Sequence, residues 1–189
     1  MRFKTVFIQL IILFFVSCTE EDFAPRGSQL LLNPNLSLYP DNVFPWVPSN
    51  NSSAGVSSDE FVSGNRSLFI QSLDTAYLGG GNWTQTYTGP MPAPGSTLEL
   101  LVFIKGENIR TSPNSTGKIT VFFRVDPSKD SGGRSAGAQN EIEGNFDWYL
   151  LKATLESFPE DAESIRVSLN VPDLTYGKVY FDEINLTVK

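Results

Sequence analysis

From Leu30 onward, hydrophobic and polar positions alternate in short runs. In Lys118–Asp126, one set is Ile119, Val121, Phe123 and Val125, and the other is Thr120, Phe122, Arg124 and Asp126. In Ser164–Val171, Ile165, Val167, Leu169 and Val171 stand against Arg166, Ser168 and Asn170. Successive side chains of a strand point to opposite faces, so each run predicts a strand with one buried and one solvated side. The same reading predicts strands at Ser67–Leu73, Trp83–Tyr87, Thr97–Lys105, Trp148–Leu155 and Lys178–Val188. Between them lie turn-forming blocks: Gly79-Gly80-Gly81, Gly89-Pro90, Pro92-Ala93-Pro94-Gly95, Asn114-Ser115-Thr116-Gly117 and Asp130 to Gly137. No amphipathic helical stretch exceeds about two turns. Strands wet on one face and dry on the other, repeated without helices, predict an all-β, two-sheet antiparallel β-sandwich of the jelly-roll kind.

The first residues break this pattern. Arg2 and Lys4 precede Val6 through Val16, an apolar run interrupted only by Gln9, and Ser17-Cys18 follows. The run is too short to span a bilayer and suits the apolar region of a signal peptide. With Cys18, the chain's only cysteine, placed directly behind small Ser17, the segment resembles a bacterial lipoprotein signal and implies lipidation at Cys18. Glu20, Glu21 and Asp22 resemble the acidic tag that sends lipoproteins of some Gram-negative bacteria with cell-surface glycan-uptake machinery to the outer face. An ordinary acidic tether would read the same way. The expected organisation is a signal peptide at 1–17, a tether at 18–29 containing Pro25 and Gly27, and a single domain at 30–189. The expected location is the outer membrane, lipid-anchored and exposed at the cell surface.

Charge narrows the partners. Arg2 and Lys4 are the leader's only charges, so the chain's net −7 becomes about −9 once the leader is gone. Nucleic acid and anionic headgroups both demand a basic face, so neither is an expected partner, and membrane contact is expected through the lipid alone. The sequence contains no histidine. That excludes Ser-His-Asp and Cys-His catalysis and histidine-based metal sites. The acidic groups Glu141, Glu143, Asp147 and Glu156, Glu160, Asp161, Glu163 fall in loop-like stretches and read as solvated surface. A noncatalytic protein is expected.

Several segments in order resemble a known family. They are Leu31-Leu32-Asn33-Pro34-Asn35-Leu36, then Trp46, then Gly64-Asn65-Arg66-Ser67-Leu68-Phe69-Ile70, then Pro94-Gly95 before Leu98–Lys105, then Trp148-Tyr149 with Thr154. The last is Gly177-Lys178-Val179-Tyr180-Phe181-Asp182-Glu183-Ile184. This set resembles carbohydrate-binding modules of the fourth and ninth families and their galactose-binding-like jelly-roll relatives. The resemblance implies a glycan ligand, a poly- or oligosaccharide, with a glycan-uptake complex as a further partner. It also implies a structural calcium held by Asp182. The second acidic position of that site reads Ser37 here, which weakens the implied set, because calcium takes six to eight oxygens and usually more than one carboxylate. The alternative role for Asp182 is a bulge or capped turn, since the inward parity shifts between Phe181 and Ile184.

A sugar site needs aromatic faces against the C–H side of a pyranose and planar polar groups for its hydroxyls. The solvated sides of the predicted strands offer Phe122 and Arg124 on one and Arg166 and Asn170 on another. Trp83, Gln85 and Tyr87 share one parity and are expected as a third wall. Trp148 reads either as a groove platform or as a core plug, and Trp46, between Pro45 and Val47-Pro48, as a lid over one end of the sandwich. Asn35, Asn51, Asn65, Asn82, Asn114 and Asn185 begin N-glycosylation sequons, which carry little weight behind a bacterial leader. Asp74-Thr75-Ala76 resembles an O-glycan acceptor motif, with a plain loop as the other reading. Glycan binding without catalysis is the leading expectation, and a structural or protein-interaction module using the same sandwich is the alternative.

Overall fold

The structure, a computed structural model, describes residues 23–49, 53–72, 80–112, 115, 118–127 and 132–189. Cys18, Glu20, Glu21, Asp22 and the Asp74-Thr75-Ala76 motif lie outside the described residues. Ten strands form in chain order: β1 Val47–Pro48, β2 Ala54–Ser57, β3 Ser67–Ser72, β4 Gly81–Tyr87, β5 Leu98–Thr111, β6 Ile119–Pro127, β7 Arg134–Asn140, β8 Gly144–Leu155, β9 Ala162–Val171 and β10 Thr175–Val188. They make two five-stranded antiparallel sheets, the first in the order β1-β4-β9-β6-β7 and the second in the order β2-β3-β10-β5-β8. The chain is an all-β jelly-roll sandwich, as the alternation predicts, and no helix occurs among the described residues.

Alternation places the core. From the first sheet Val121, Phe123, Ile165, Val167 and Leu169 turn inward, all at 0% exposure. Leu68, Leu98, Leu100, Val102, Ile104 and Phe181 meet them from the second sheet, also at 0%. Each large side chain so buried contributes about 1.5–3 kcal/mol, the main source of stability in a domain whose one cysteine lies outside the described residues. Trp46 is 4% exposed and packs with this core, while its neighbour Val47 is 58% exposed.

Part of the block read as turn, Asp130 to Gly137, is strand. Arg134–Asn140 pairs with β6 along its whole length, from Val125↔Arg134 to Ile119↔Asn140. Its sequence, Arg-Ser-Ala-Gly-Ala-Gln-Asn, has no β-branched or aromatic residue, so nothing local announces a strand. The ladder offered by β6 sets its conformation instead.

The opening Asn-rich segment is a loop stitched by its own asparagines. Asn33, at φ 53°, accepts the Leu38 N–H at 2.8 Å through Oδ1 and donates from Nδ2 to the Phe44 carbonyl at 3.1 Å. Asparagine tolerates the left-handed backbone there better than a branched residue would. Just before it, residues 24–30 bond to the Met91 carbonyl and to the end of β10: Ala24 N–H to Met91 O, Gly27 N–H to Val188 O and Leu30 N–H to Leu186 O, at 2.7 to 2.9 Å.

Candidate functional site: the outer face of the first sheet

Four of the residues expected at a binding site come together. Strands β6 and β9 are neighbours, and their register sets Thr120 opposite Asn170, Phe122 opposite Ser168 and Arg124 opposite Arg166. All six point away from the core, because the residues between them on each strand are the buried ones. On the far side of β9, β4 continues the rows with Asn82 opposite Asn170, Thr84 opposite Ser168 and Thr86 opposite Arg166. On the far side of β6, β7 adds Gln139 opposite Thr120, Gly137 opposite Phe122 and Ser135 opposite Arg124.

Three rows therefore cross the sheet. The middle row holds one ring, Phe122, between Ser168 and Gly137. A side chain at Gly137 would bring its Cβ to 2.9 Å from the Phe122 Cβ, so glycine alone fits beside the ring. Phe122 is half-buried in this row, and Ser168 beside it is 6% exposed. Amides and hydroxyls line the row on one side of the ring and guanidinium groups the row on the other. That combination suits a pyranose lying on the ring with its hydroxyls reaching both rows. Arg124 donates from Nε to Asp126 Oδ1 at 2.6 Å, with its side chain 56% exposed. Arg166 is exposed and has no ion pair among the described residues.

The expected third wall is corrected. Trp83 and Gln85 face inward, 4% and 3% exposed, and Tyr87 is half-buried against the core. Trp83 donates from Nε1 to the Phe69 carbonyl at 3.0 Å, crossing to the second sheet. Gln85 clamps the opening loop: Oε1 accepts the Leu32 N–H at 2.8 Å and Nε2 donates to the Leu32 carbonyl at 3.0 Å. A buried amide satisfied at both ends is stable, and it looks polar only in sequence. The Tyr87 hydroxyl donates to the Pro90 carbonyl at 2.8 Å. The opposite parity of β4, Asn82, Thr84 and Thr86, supplies the outer face instead. That signal was present in the sequence as an unbroken polar set facing a set containing tryptophan.

Trp148 also lies away from this face. It belongs to β8 in the second sheet, half-buried, with its ring centroid 6.3 Å from that of Tyr180. Tyr180 in turn meets Phe69 edge-on at 6.3 Å, and the Lys178 Nζ sits 4.1 Å from the Phe69 centroid. Lys178 thus caps an aromatic cluster on the outer face of the second sheet. A cleft of about 500 Å³ opens near the β5–β8 bulges, lined by Lys105, Glu107, Asn108, Asn145 and Asp147 among others. Its charged groups already serve the fold: Lys105 pairs with Glu60 at 2.7 Å, Glu107 accepts the Tyr180 hydroxyl at 3.0 Å, and Asp147 accepts the Trp148 N–H at 2.8 Å. The open rows of the first sheet are the better candidate.

Asp182 holds a loop. Its side chain is 0% exposed; Oδ2 accepts the Val62 N–H at 2.6 Å and the Ser63 N–H at 3.1 Å, and Oδ1 accepts the Glu183 N–H at 2.7 Å. Burial dominates these bonds and pushes the carboxyl up to about 6. The implied calcium does not fit here. N–H donors aim at both oxygens, where a cation would need further oxygen ligands, and no group of three acidic, histidine or cysteine residues that could hold a metal occurs among the described residues. Ser37 instead donates from Oγ to the Asn35 carbonyl at 3.0 Å and accepts the Asn65 N–H at 3.2 Å. The strand itself bulges between Asp182 and Asn185, with Glu183 at φ 49°, as the parity shift implies.

No family model matches this chain, and no curated protein does. Solved structures do. TmCBM61, solved in complex with β-1,4-galactotriose, superposes with a TM-score of 0.54 at 12% identity, covering 86% of this chain and 100% of that one. The CBM22-1 xylan-binding domain from Paenibacillus barcinonensis Xyn10C gives 0.55 at 12%, covering 87% and 97%. A cyclase from Fischerella sp. TAU gives 0.60 at 15%, covering 86% and 98%. The enzymatically active domain of the bacteriophage CBA120 tailspike protein 4 gives 0.59 at 15%; this chain covers 21% of its length and is itself covered to 85%. Likeness at these identities shows the fold, a sandwich that serves binding modules and enzymes alike.

Proposed function

We propose that this protein is a noncatalytic glycan-binding lipoprotein of the cell surface, anchored through Cys18, with the outer face of the first sheet as its binding surface. The observation that carries the reading is the register of β6 and β9, which sets Phe122, Arg124, Arg166, Thr120 and Asn170 side by side on one open face. Neighbours that include a galactotriose-bound module and a xylan-binding domain support it. So does the acid–base content of the face. Hydrolysis of a glycosidic bond commonly uses two carboxylates on either side of it, whereas the three rows hold none, and Asp126, one row beyond them opposite Ser164, is paired with Arg124. The anchor and acidic tether, in this reading, hold the domain outside the cell beside a glycan-uptake complex.

A glycan array probed with the domain from residue 19 onward tests the binding. Retention of one or more oligosaccharides, lost in Phe122→Ala, is the expected result. A blank array, or hits indifferent to Phe122→Ala, would reject this face. The anchor is tested separately. Cys18→Ala should release a folded protein from the membrane fraction, since the acyl chains supply the attachment energy. Sedimentation of that variant with membranes after a high-salt wash would overturn the lipoprotein reading.

A further inference from the structure

Arg124 and Arg166 stand directly opposite one another on adjacent antiparallel strands. Like charges in that relation repel and destabilise the pair. Such an arrangement on a chain of net charge −7 calls for an account, because random surface placement would favour an acidic neighbour. The compensation on hand is partial. Asp126 pairs with Arg124 from the same strand and lies diagonal to Arg166; the register neighbours Ser164, Ser135 and Thr86 are neutral. Arg166 has no ion pair among the described residues. Among the described residues one guanidinium charge is thus left without an ion-pair partner, one row from the Phe122 ring.

We infer that the glycan recognised by this face is anionic, bearing a uronic-acid carboxylate or a sulfate ester that docks on Arg166 and Arg124 while a sugar ring covers Phe122. The inference rests on the proposed binding face and names the chemical class of its ligand. The planar fork of arginine matches a carboxylate or a sulfate through two parallel N–H···O bonds, stronger than bonds to a neutral hydroxyl. An anion between the two guanidinium groups would also turn their mutual repulsion into shared attraction. Neutral sugars gain neither advantage. The chain's net charge of −7 disfavours nonspecific attachment of a polyanion, which adds selectivity to such a basic spot.

The experiment uses an array carrying uronate-bearing, sulfated and neutral oligosaccharides, followed by titration of the hits in low and high salt. Binding confined to anionic sugars is expected, weakened by salt and reduced about tenfold or more in Arg166→Gln. Methyl esterification of the uronate, or removal of the sulfate, should produce a similar loss and identifies which anion is read. Arg26→Gln, at an exposed arginine in the N-terminal segment, should bind as the parent does. Retention of neutral sugars with Phe122-dependent affinity but no effect of Arg166→Gln would overturn the anionic class while leaving glycan binding intact. A blank array would remove both.

Discussion

The outer faces of the two sheets start from the same alternation and end in different states. On the first sheet Arg124 and Arg166 reach solvent around a single ring, and the residues beside that ring are serine and glycine. On the second sheet the outward residues are large: Phe69, Phe103, Tyr180 and Trp148. There Tyr180 is 3% and Asp182 0% exposed. The segment from Ser58 to Arg66 is stitched down by Asp182, by Ser63 donating to Glu183, and by Glu60 pairing with Lys105. Polarity in the sequence does not decide which outward face remains open. What decides it is whether a loop has donors that can close over the face, and the N–H groups of Val62 and Ser63 give the second sheet such a loop.

Substitution can break this contrast, and the largest effect is expected where an inward residue was read as outward. Trp83→Ala should destabilise the fold by about 3–5 kcal/mol, since it empties a core site and removes the hydrogen bond from Trp83 Nε1 to the Phe69 carbonyl that joins the two sheets. Urea unfolding measures this; a loss under about 1 kcal/mol would return Trp83 to the surface. The next effect belongs to the covered face. Asp182 has its pKa raised from 3.8 to about 6, so the folded state favours the protonated form more than the unfolded chain does. Its contribution to stability is therefore greatest below about 4 and is lost as pH rises through about 6, a change on the order of 3 kcal/mol. Asp182→Asn should flatten that part of the stability–pH curve, and an unaltered slope between pH 4 and 7 would refute the assignment. The smallest stability change is expected on the open face. Arg124→Ala should shift unfolding by no more than about 0.5 kcal/mol. If a glycan binds there, its affinity should fall by about 1–3 kcal/mol in calorimetric titration. A melting temperature sharply lowered by this change would mean that the guanidinium holds the sheet together.

Much of the fold was legible in the sequence because burial in a sandwich has a period of two. Ile119 to Val125 and Ile165 to Val171 read correctly for that reason, and the pairing of β6 with β9 then brought Phe122, Arg124, Arg166 and Asn170 together. Parity failed at β4, where Gln85 made an inward set look wet. Its backbone partners at Leu32 are 53 residues away, so no local pattern could show that the amide would be satisfied in the interior. The strand β7 was hidden for a related reason: Ser135, Gly137 and Gln139 owe their place on the face to β6 and not to their own propensity. Trp148 read as either platform or plug because an outward ring can be open or covered, and its closeness to Tyr180 depends on tertiary packing.

The hydrogen bonds of residues 24–30 have a mechanical consequence. A pull entering through Phe23 meets the bonds at Met91, Val188 and Leu186 in turn, before it reaches any strand of the two sheets. Because they follow one another along the segment, they would open successively, like a zip, each at a low force. The two fourteen-residue strands β5 and β10, paired along most of their length, would come under shear only afterwards. Stretching the protein from its N-terminal side should accordingly show a weak early extension of a few residues ahead of the main rupture, a shock absorber built from the first turn of the domain.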